Sequence, residues 1–191
     1  MQLVFATNNL NKLQEVQKLI PSHITLLSLK DIGCFEDIPE TQPTIEGNAV
    51  QKAQYVKDHY GYDCFADDTG LEVEALNGEP GVFSARYAGE QRDANDNMDL
   101  LLTNLTDKPN RSAQFKTVIA LHLHGQLHTF TGICKGDITS NKKGTDGFGY
   151  DPIFKPNGFN QTFAEMTLEQ KNEIGHRGKA VLKLVDFLNG L

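Results

Sequence analysis

The chain has 191 residues, 39% of them hydrophobic and 23% charged, and its formal net charge is −7 at pH 7. A chain of this length can bury one sizeable core, so we predict a single domain over residues 1–191. The negative charge argues against a general nucleic-acid-binding surface, because a phosphate backbone requires a basic face. We therefore expect no nucleic-acid partner.

The three cysteines are far apart and none belongs to a C-x-x-C motif, so neither a disulfide framework nor a zinc ribbon is predicted. No apolar stretch approaches the roughly 20 residues that a membrane-spanning helix needs. The first residues also lack the basic segment that opens a signal peptide. We expect no membrane partner and a cytoplasmic location.

The spacing of apolar residues predicts strands and helices that alternate along the chain, followed by a hairpin. Helical spacing stops at Pro21 and again at Gly61, residue types that commonly mark helix ends. Strand patterns flank His124-Gly125-Gln126, which predicts the turn of the hairpin. Parallel β-α units joined to an antiparallel hairpin imply an α/β fold with a mixed twisted sheet and flanking helices. The predicted strands are 3–6, 24–27, 64–68, 71–75, 115–123 and 127–138, and the predicted helices are 13–20, 44–60, 93–105 and 180–188.

The segment TNNLNK follows the first predicted strand and leads into the first helix. Thr7, Asn8 and Asn9 would lie where free backbone N–H groups and the helix dipole favour an anion. Lys12 would add a positive charge one turn later. The alternative is that the Thr and Asn side chains only cap the helix, a role they fill well.

Asp67 and Asp68 follow an apolar run, at a predicted strand end. Paired carboxylates suit a hard cation such as Mg²⁺, which keeps several waters and bridges to substrate phosphates. Glu40 and Glu46 are further candidate metal ligands, and Lys52 is a candidate phosphate contact. The alternatives are a solvated strand end and a solvated helix surface.

Two later segments suit recognition of a flat base. Phe148 stands between two glycines, which let a backbone approach a ligand closely, so its ring could stack on a base. Lys171, His176 and Arg177 precede the last predicted helix and offer hydrogen-bond donors to base carbonyls or phosphates. A tight turn with a buried Phe and a solvated basic helix start are the alternatives.

Three histidines on the hairpin, His122, His124 and His128, resemble a set of metal ligands. With a two-residue turn at Gly125-Gln126, His128 would face away from the other two, because successive strand residues point to opposite faces. We interpret all three as residues of the strand faces.

Five motifs in one order, TNNLNK, TIEGNAVQKA, ADDTGLEVEALNGEPGVFSARYAG, GFGYDPIF and HRGKA, resemble the inosine triphosphate pyrophosphatase family. The resemblance runs from Leu3 to about Leu188. It implies Mg²⁺-dependent hydrolysis of ITP, dITP and XTP to the monophosphate and pyrophosphate, which removes deaminated purines from the nucleotide pool. It also implies an elongated, two-lobed single domain with a central cleft, usually assembled as a homodimer.

The resemblance also implies a role for each matching residue. Asp68 would be a metal ligand and the general base, Asp67 its supporting acid, Glu40 the second metal ligand and Lys52 a catalytic phosphate contact. The substrate contacts would be Thr7, Asn8, Asn9, Leu10, Asn11 and Lys12 for the triphosphate, Thr69 beside the substrate, Phe148, Gly149, Tyr150 and Asp151 around the base and sugar, and Lys171, His176 and Arg177 at the base.

His176 and Arg177 are donors, so they would favour the oxygen at position 6 of hypoxanthine or xanthine over the amino group of adenine. Two residues depart from the family pattern: Ile45 replaces a Phe, and Gly175 replaces a Ser that could contact the base. If the backbone at Gly175 can hold a Ser, we expect the substitution Gly175→Ser to leave stability unchanged.

Two rival functions are a pyrophosphatase for another base, such as a modified pyrimidine, and a nucleotide-binding regulator without hydrolysis. Comparing the turnover of ITP, XTP, GTP and dTTP at equal concentration distinguishes the first rival from an inosine triphosphate pyrophosphatase. The presence of a general base at Asp68 argues against the second.

Overall fold

The computed structural model describes residues 1–190, and the side chain of Glu15 is left out of the description. Six strands form one mixed sheet in the order β2-β1-β3-β4-β5-β6. Strand β1 runs parallel to both of its neighbours, whereas β5 and β6 are antiparallel. The strands are β1 Gln2–Phe5, β2 Thr25–Ser28, β3 Cys64–Val73, β4 Ser112–Leu123, β5 Gln126–Ile138 and β6 Phe154–Pro156.

Five α-helices accompany the sheet in the described residues, and the polar residues that precede them explain where several begin. Thr44 accepts a hydrogen bond from the backbone of Gly47, and Asp93 accepts two from the start of the third helix. Gly61 ends the second helix in the left-handed conformation, as a C-terminal glycine commonly does. The helices are α1 Leu10–Gln17, α2 Ile45–Tyr60, α3 Ala94–Asn104, α4 Leu168–Ile174 and α5 His176–Asn189.

The contacts of the chain fall into two compact units. The first comprises residues 1–68, 117–132 and 177–191, and the second comprises residues 69–116 and 133–176. Each has its own apolar core. In the first core the rings of Phe5 and Phe65 stack with their centroids 4.6 Å apart, and in the second the ring of Phe115 packs against that of Phe154. The single-domain assignment stays a prediction, and Leu191 lies outside the described residues.

The α/β class and the mixed sheet with flanking helices are confirmed, but several local predictions differ from the structure, and α1 spans Leu10–Gln17 where we predicted 13–20. Strand β3 continues through Asp67 and Asp68 to Val73, where we predicted a strand end and a second strand. The hairpin turn is His124-Gly125 alone, since both have positive φ angles (49° and 80°). Helix α4 and strand β6 were not predicted. No helix among residues 1–190 is long and apolar enough to cross a membrane.

Candidate active site

Asp67 and Asp68 lie within β3, on the part of that strand that belongs to the first unit. Both are buried, Asp67 to 1% exposure and Asp68 to 9%. Two carboxylates at neighbouring positions are costly to bury unless cations accompany them, because each resists desolvation and repels the other. The first unit supplies those cations.

Asp67 is held by two positive side chains. The Nζ atom of Lys12 lies 3.1 Å from Oδ1, and the Nε atom of Arg177 lies 3.3 Å from Oδ2. Burial alone would raise the pKa of Asp67, but the charges of Lys12, Arg177 and Lys52 outweigh it and hold the pKa well below its usual range. A carboxylate with so low a pKa stays ionised at neutral pH, which suits it to anchoring Lys12 and Arg177.

Asp68 has the opposite environment. Burial raises the pKa of Asp68 although Lys52 and Lys12 act to lower it. Its Oδ1 atom lies 3.7 Å from Nζ of Lys52. Its Oδ2 atom is buried and has no hydrogen-bond partner among the described residues. A carboxylate with a raised pKa and an uncommitted oxygen is suited to accept a proton or bind a cation.

Glu40 and Asp68 both approach Lys52, which forms an ion pair with Glu40 and a longer one with Asp68. Burial alone would lower the pKa of Lys52. The negative charges of Asp68, Glu40 and Asp67 have the larger effect, so the pKa of Lys52 is raised above its usual value. The carboxylates of Glu40 and Asp68, the latter with its Oδ2 atom uncommitted, fit a hard divalent cation that takes its remaining ligands from water and phosphate. No group of three or more His, Cys, Asp or Glu residues is poised to hold a metal ion within the described residues. Glu46 is exposed on the first turn of α2.

The turn between β1 and α1 carries the TNNLNK segment. Asn9 is the N-cap of α1, and its Oδ1 atom accepts from the backbone N–H groups of Asn11 (2.9 Å) and Lys12 (3.2 Å). The Thr7 hydroxyl accepts from the N–H of Asn9. Capping is therefore what these two side chains do in this structure. Asn8, Leu10 and Asn11 are exposed, and their triphosphate contacts stay a prediction.

The second unit brings Phe148, Asp151 and Lys171 together. Oδ2 of Asp151 accepts hydrogen bonds from the backbone N–H of Phe148 and from Nζ of Lys171, both at 2.8 Å. The Lys171 ammonium also lies 4.6 Å from the centre of the Phe148 ring. Gly147 has a positive φ of 77°, and a side chain there would overlap the Asp151 carboxylate. This set orients the half-buried Phe148 ring.

Four other predicted substrate contacts lie in the second unit, among them Gly149, whose backbone has a positive φ of 63°. The His176 ring stacks on Phe115 at 4.5 Å and is only 4% exposed. The Tyr150 hydroxyl donates to the backbone oxygen of Ser84 at 2.8 Å. Thr69 is half-buried directly after Asp68. Lys171 lies on α4 and precedes the last helix, as predicted, whereas His176 and Arg177 lie within α5, where we predicted that they precede it.

Gly175 lies between α4 and α5 in an extended conformation, φ −74° and ψ 161°. A Cβ atom built there would overlap the carbonyl oxygen of Lys171, which already accepts the N–H of Gly175 at 2.8 Å. A Ser at this position would require the connection to shift, so the structure argues against the expectation that stability stays unchanged. The conformation is ordinary, but the space for a side chain is missing.

Two polar residues of α2, Asn48 and Gln51, were not identified from the sequence. Both hydrogen-bond the segment that carries Glu40. Their spacing with Lys52 follows one face of a helix, which was the available signal. The hairpin histidines form no metal-binding group among the described residues: His122 is buried and the His128 ring packs against Phe187 at 4.4 Å. His124 lies in the turn, where we predicted a strand face.

Comparison with known proteins places this arrangement in one family. The model of the Ham1 family matches residues 3–187. A protein of Flavobacterium johnsoniae named dITP/XTP pyrophosphatase is 68% identical over 188 residues, which are 98% of each chain. A protein of Porphyromonas gingivalis with the same name is 52% identical and covers 98% of this chain and 97% of its own.

Solved structures agree with the sequence comparisons. The Ham1 protein of Staphylococcus aureus superposes with a TM-score of 0.92 at 38% identity and covers 100% of this chain and 99% of its own. A HAM1 protein from Coxiella burnetii gives 0.94 at 36% identity, with full coverage of both chains. The likeness extends over nearly the whole sequence in every comparison. The chain belongs to the Ham1 family.

Proposed function

We propose that this protein is a nucleoside triphosphate pyrophosphatase that hydrolyses dITP, ITP and XTP to the monophosphate and pyrophosphate. The relatives named dITP/XTP pyrophosphatase, identical in up to 68% of positions, support the reaction and the substrate class. The observation that carries the assignment to residues is the environment of Asp68. It combines burial, an adjacent lysine and an oxygen without a partner in the described part of the chain.

Positive side chains of the first unit are available to the triphosphate. Lys12 and Lys52 both contact the paired aspartates, so their ammonium groups lie close to the carboxylates that would handle the reacting phosphate. The N-terminus of α1 adds backbone N–H groups and the positive end of the helix dipole. Thr7, Asn8, Asn9, Leu10 and Asn11 would follow the phosphate chain along this turn.

Glu40 and Asp68 would hold Mg²⁺. When bound, the ion supplies positive charge that stabilises the charge developing on the phosphate oxygens. Lys52 pairs with both carboxylates, and its ammonium group would contact a phosphate oxygen of the substrate. Asp67 stays ionised beside them and keeps Lys12 and Arg177 in position.

Asp68 acts as general base in the chemical step. It accepts a proton from a water molecule whose oxygen forms a bond to the α-phosphorus. The bond between that phosphorus and the oxygen bridging to the β-phosphorus breaks, and pyrophosphate leaves with the bonding electrons. Burial raises the pKa of Asp68, which makes it a stronger base than an ordinary aspartate.

The site residues from Phe148 onward in the sequence would recognise the base. One face of the Phe148 ring carries the Lys171 ammonium, and the base would stack on the ring. Tyr150 and Gly149 shape the same loop, whose backbone takes positive φ at Gly149 (63°). His176 and Arg177 donate to the oxygen at position 6, which adenine lacks.

The enzyme would work as a homodimer in the cytoplasm, where free nucleotides are the substrate. Steady-state turnover of ITP, dITP, XTP, GTP, ATP and dTTP at equal concentration tests the assignment. We expect kcat/KM for the first three to exceed those for ATP and dTTP. A preference for dTTP would instead support a pyrophosphatase for a modified pyrimidine.

A further inference from the structure

Glu40 lies in a segment that has little to hold it by packing. Residues 35–44 contain neither helix nor strand, and none of these ten described side chains is fully buried. Such a segment is free to move unless hydrogen bonds fix it, because few apolar contacts oppose its motion. A metal ligand on a mobile segment binds weakly, since its ordering must be completed at the moment of binding.

The hydrogen bonds that fix this segment come from one face of α2. Asn48, Gln51, Lys52 and Tyr55 follow the spacing i, i+3, i+4 and i+7, which places them in one stripe along the helix. All four contact residues of the segment: Gln42, Thr41, Glu40 and Glu36 respectively. Helix and segment therefore run side by side in register.

The two residues that follow Glu40, Thr41 and Gln42, are hydrogen-bonded to side chains of α2. The backbone N–H of Thr41 donates to Oε1 of Gln51, and Nε2 of Gln51 donates back to the Thr41 hydroxyl, both at 2.9 Å. The N–H of Gln42 donates to Oδ1 of Asn48, also at 2.9 Å. Asn48 is itself 2% exposed, so its orientation is fixed by its surroundings.

We propose that Gln51 and Asn48 are positioning residues of the metal site, which hold the backbone after Glu40 so that its carboxylate is aligned before the cation arrives. This inference rests on the proposed function, in which Glu40 and Asp68 hold the metal. The same helix carries Lys52, so one rigid element sets both the metal ligand and its cationic neighbour. Residues that orient a metal ligand commonly affect affinity almost as strongly as the ligand itself.

The substitution Gln51→Leu tests the proposal, because it keeps the size of the side chain and removes both hydrogen bonds to Thr41. The matched control is Gln54→Leu, the same change on the same helix at an exposed residue whose side chain donates to Asp58 and not to the segment that carries Glu40. Binding of Mn²⁺ alone is measured by the loss of the free-ion electron paramagnetic resonance signal. The Mg²⁺ activation constant and kcat are measured with ITP at saturation.

We expect Gln51→Leu to weaken Mn²⁺ binding and raise the Mg²⁺ activation constant by roughly 5- to 150-fold, as for two lost hydrogen bonds. The value of kcat at saturating Mg²⁺ should stay within about twofold of wild type, because the aligned site is restored once metal is bound. Gln54→Leu should change neither constant. Adding Thr41→Val to Gln51→Leu should weaken binding little further, since both changes remove the same contact.

The proposal would be overturned if the Mn²⁺ affinity and the Mg²⁺ activation constant of Gln51→Leu equal those of wild type, whether or not the thermal stability falls. Glu40→Gln separates this failure from that of the proposed function. If Glu40→Gln weakens Mn²⁺ binding and Gln51→Leu does not, only the positioning role is wrong. If Glu40→Gln also leaves binding unchanged, Glu40 is not a ligand, and the metal site assigned under the proposed function fails together with the positioning role.

Discussion

The Nζ atom of Lys52 lies 3.7 Å from one carboxylate oxygen of Asp68, while the other oxygen of Asp68 is buried without a hydrogen-bond partner in the described chain. One half of this carboxylate is thus oriented by a cation and the other half is available. Buried polar atoms without partners are rare in folded proteins, because desolvation without a hydrogen bond is costly. A bound ligand, cation or water would satisfy that oxygen.

Asp68→Asn should nearly abolish turnover. An amide cannot accept the proton of the attacking water, and loss of a general base lowers rates by roughly 10²- to 10⁴-fold. Loss of a metal ligand would add to this. The variant should remain folded, since the amide replaces a carboxylate whose charge is disfavoured by burial. The rate of pyrophosphate release from ITP and the thermal midpoint measure the two expectations, and a variant that keeps more than a tenth of the wild-type rate would refute the role of Asp68.

Phe148→Ala should raise KM for ITP more than it lowers kcat. Stacking on the base is equally strong in the ground and transition states, because the base is remote from the reacting phosphate. A stack contributes about 1–3 kcal/mol, which corresponds to a rise in KM of roughly 5- to 150-fold. Phe159→Ala, at an aromatic residue that is 42% exposed, is the control. An unchanged KM in Phe148→Ala would mean that the ring only fills the loop.

Gly175→Ser should lower the thermal midpoint. The added Cβ would overlap the Lys171 carbonyl oxygen, so the connection between α4 and α5 would have to shift. Forcing atoms into filled space typically costs about 1–3 kcal/mol. Gly190→Ser is the control, because a Cβ there meets its nearest atoms at ordinary distances of 3.5 and 3.6 Å. Equal midpoints for Gly175→Ser and wild type would show that the connection adapts freely.

Glu36 should make stability depend on pH in the acid range. Hydrogen bonds from the Tyr60 hydroxyl, the backbone and the Tyr55 hydroxyl lower the pKa of Glu36 to about 2. Because the folded pKa lies below the unfolded value of about 4.3, the stabilisation is fully present above roughly pH 5 and is lost as the pH falls toward 2.

The difference in free energy of unfolding between wild type and Glu36→Gln measures this contribution. Urea unfolding at several pH values should show a difference that is constant from pH 7 to about pH 5 and shrinks below it. A difference that stays constant or grows in acid would contradict the assignment. Tyr62→Phe, at a tyrosine that is 40% exposed, is a control that should show no such pH dependence.

The sequence was a sufficient guide where local chemistry determines structure. The bounds of α2 were predictable, because Thr44 caps one end and Gly61 ends the other. The α/β class followed from the change between helical and strand spacing. The pair Asp67-Asp68 was identified because two adjacent acids directly after an apolar run repel each other and resist desolvation.

Tertiary contacts decided what the sequence could not. The chain was predicted to leave strand conformation at Asp68, because two acids and a Thr-Gly pair are typical of a turn. The charges of Lys12, Arg177 and Lys52 stabilise the acids, so β3 continues. Arg177 is 110 residues from Asp67 in the chain, and no local pattern indicates that pairing.

The identity of the products formed from ITP tests the central claim most directly. We predict that the purified protein with Mg²⁺ converts ITP to IMP and pyrophosphate in equal amounts, with no orthophosphate before an added pyrophosphatase acts. Chromatography of the nucleotide together with separate assays for pyrophosphate and orthophosphate makes this measurement. Formation of IDP and orthophosphate, or no turnover of ITP, dITP or XTP above the rate with Asp68→Asn, would contradict the account.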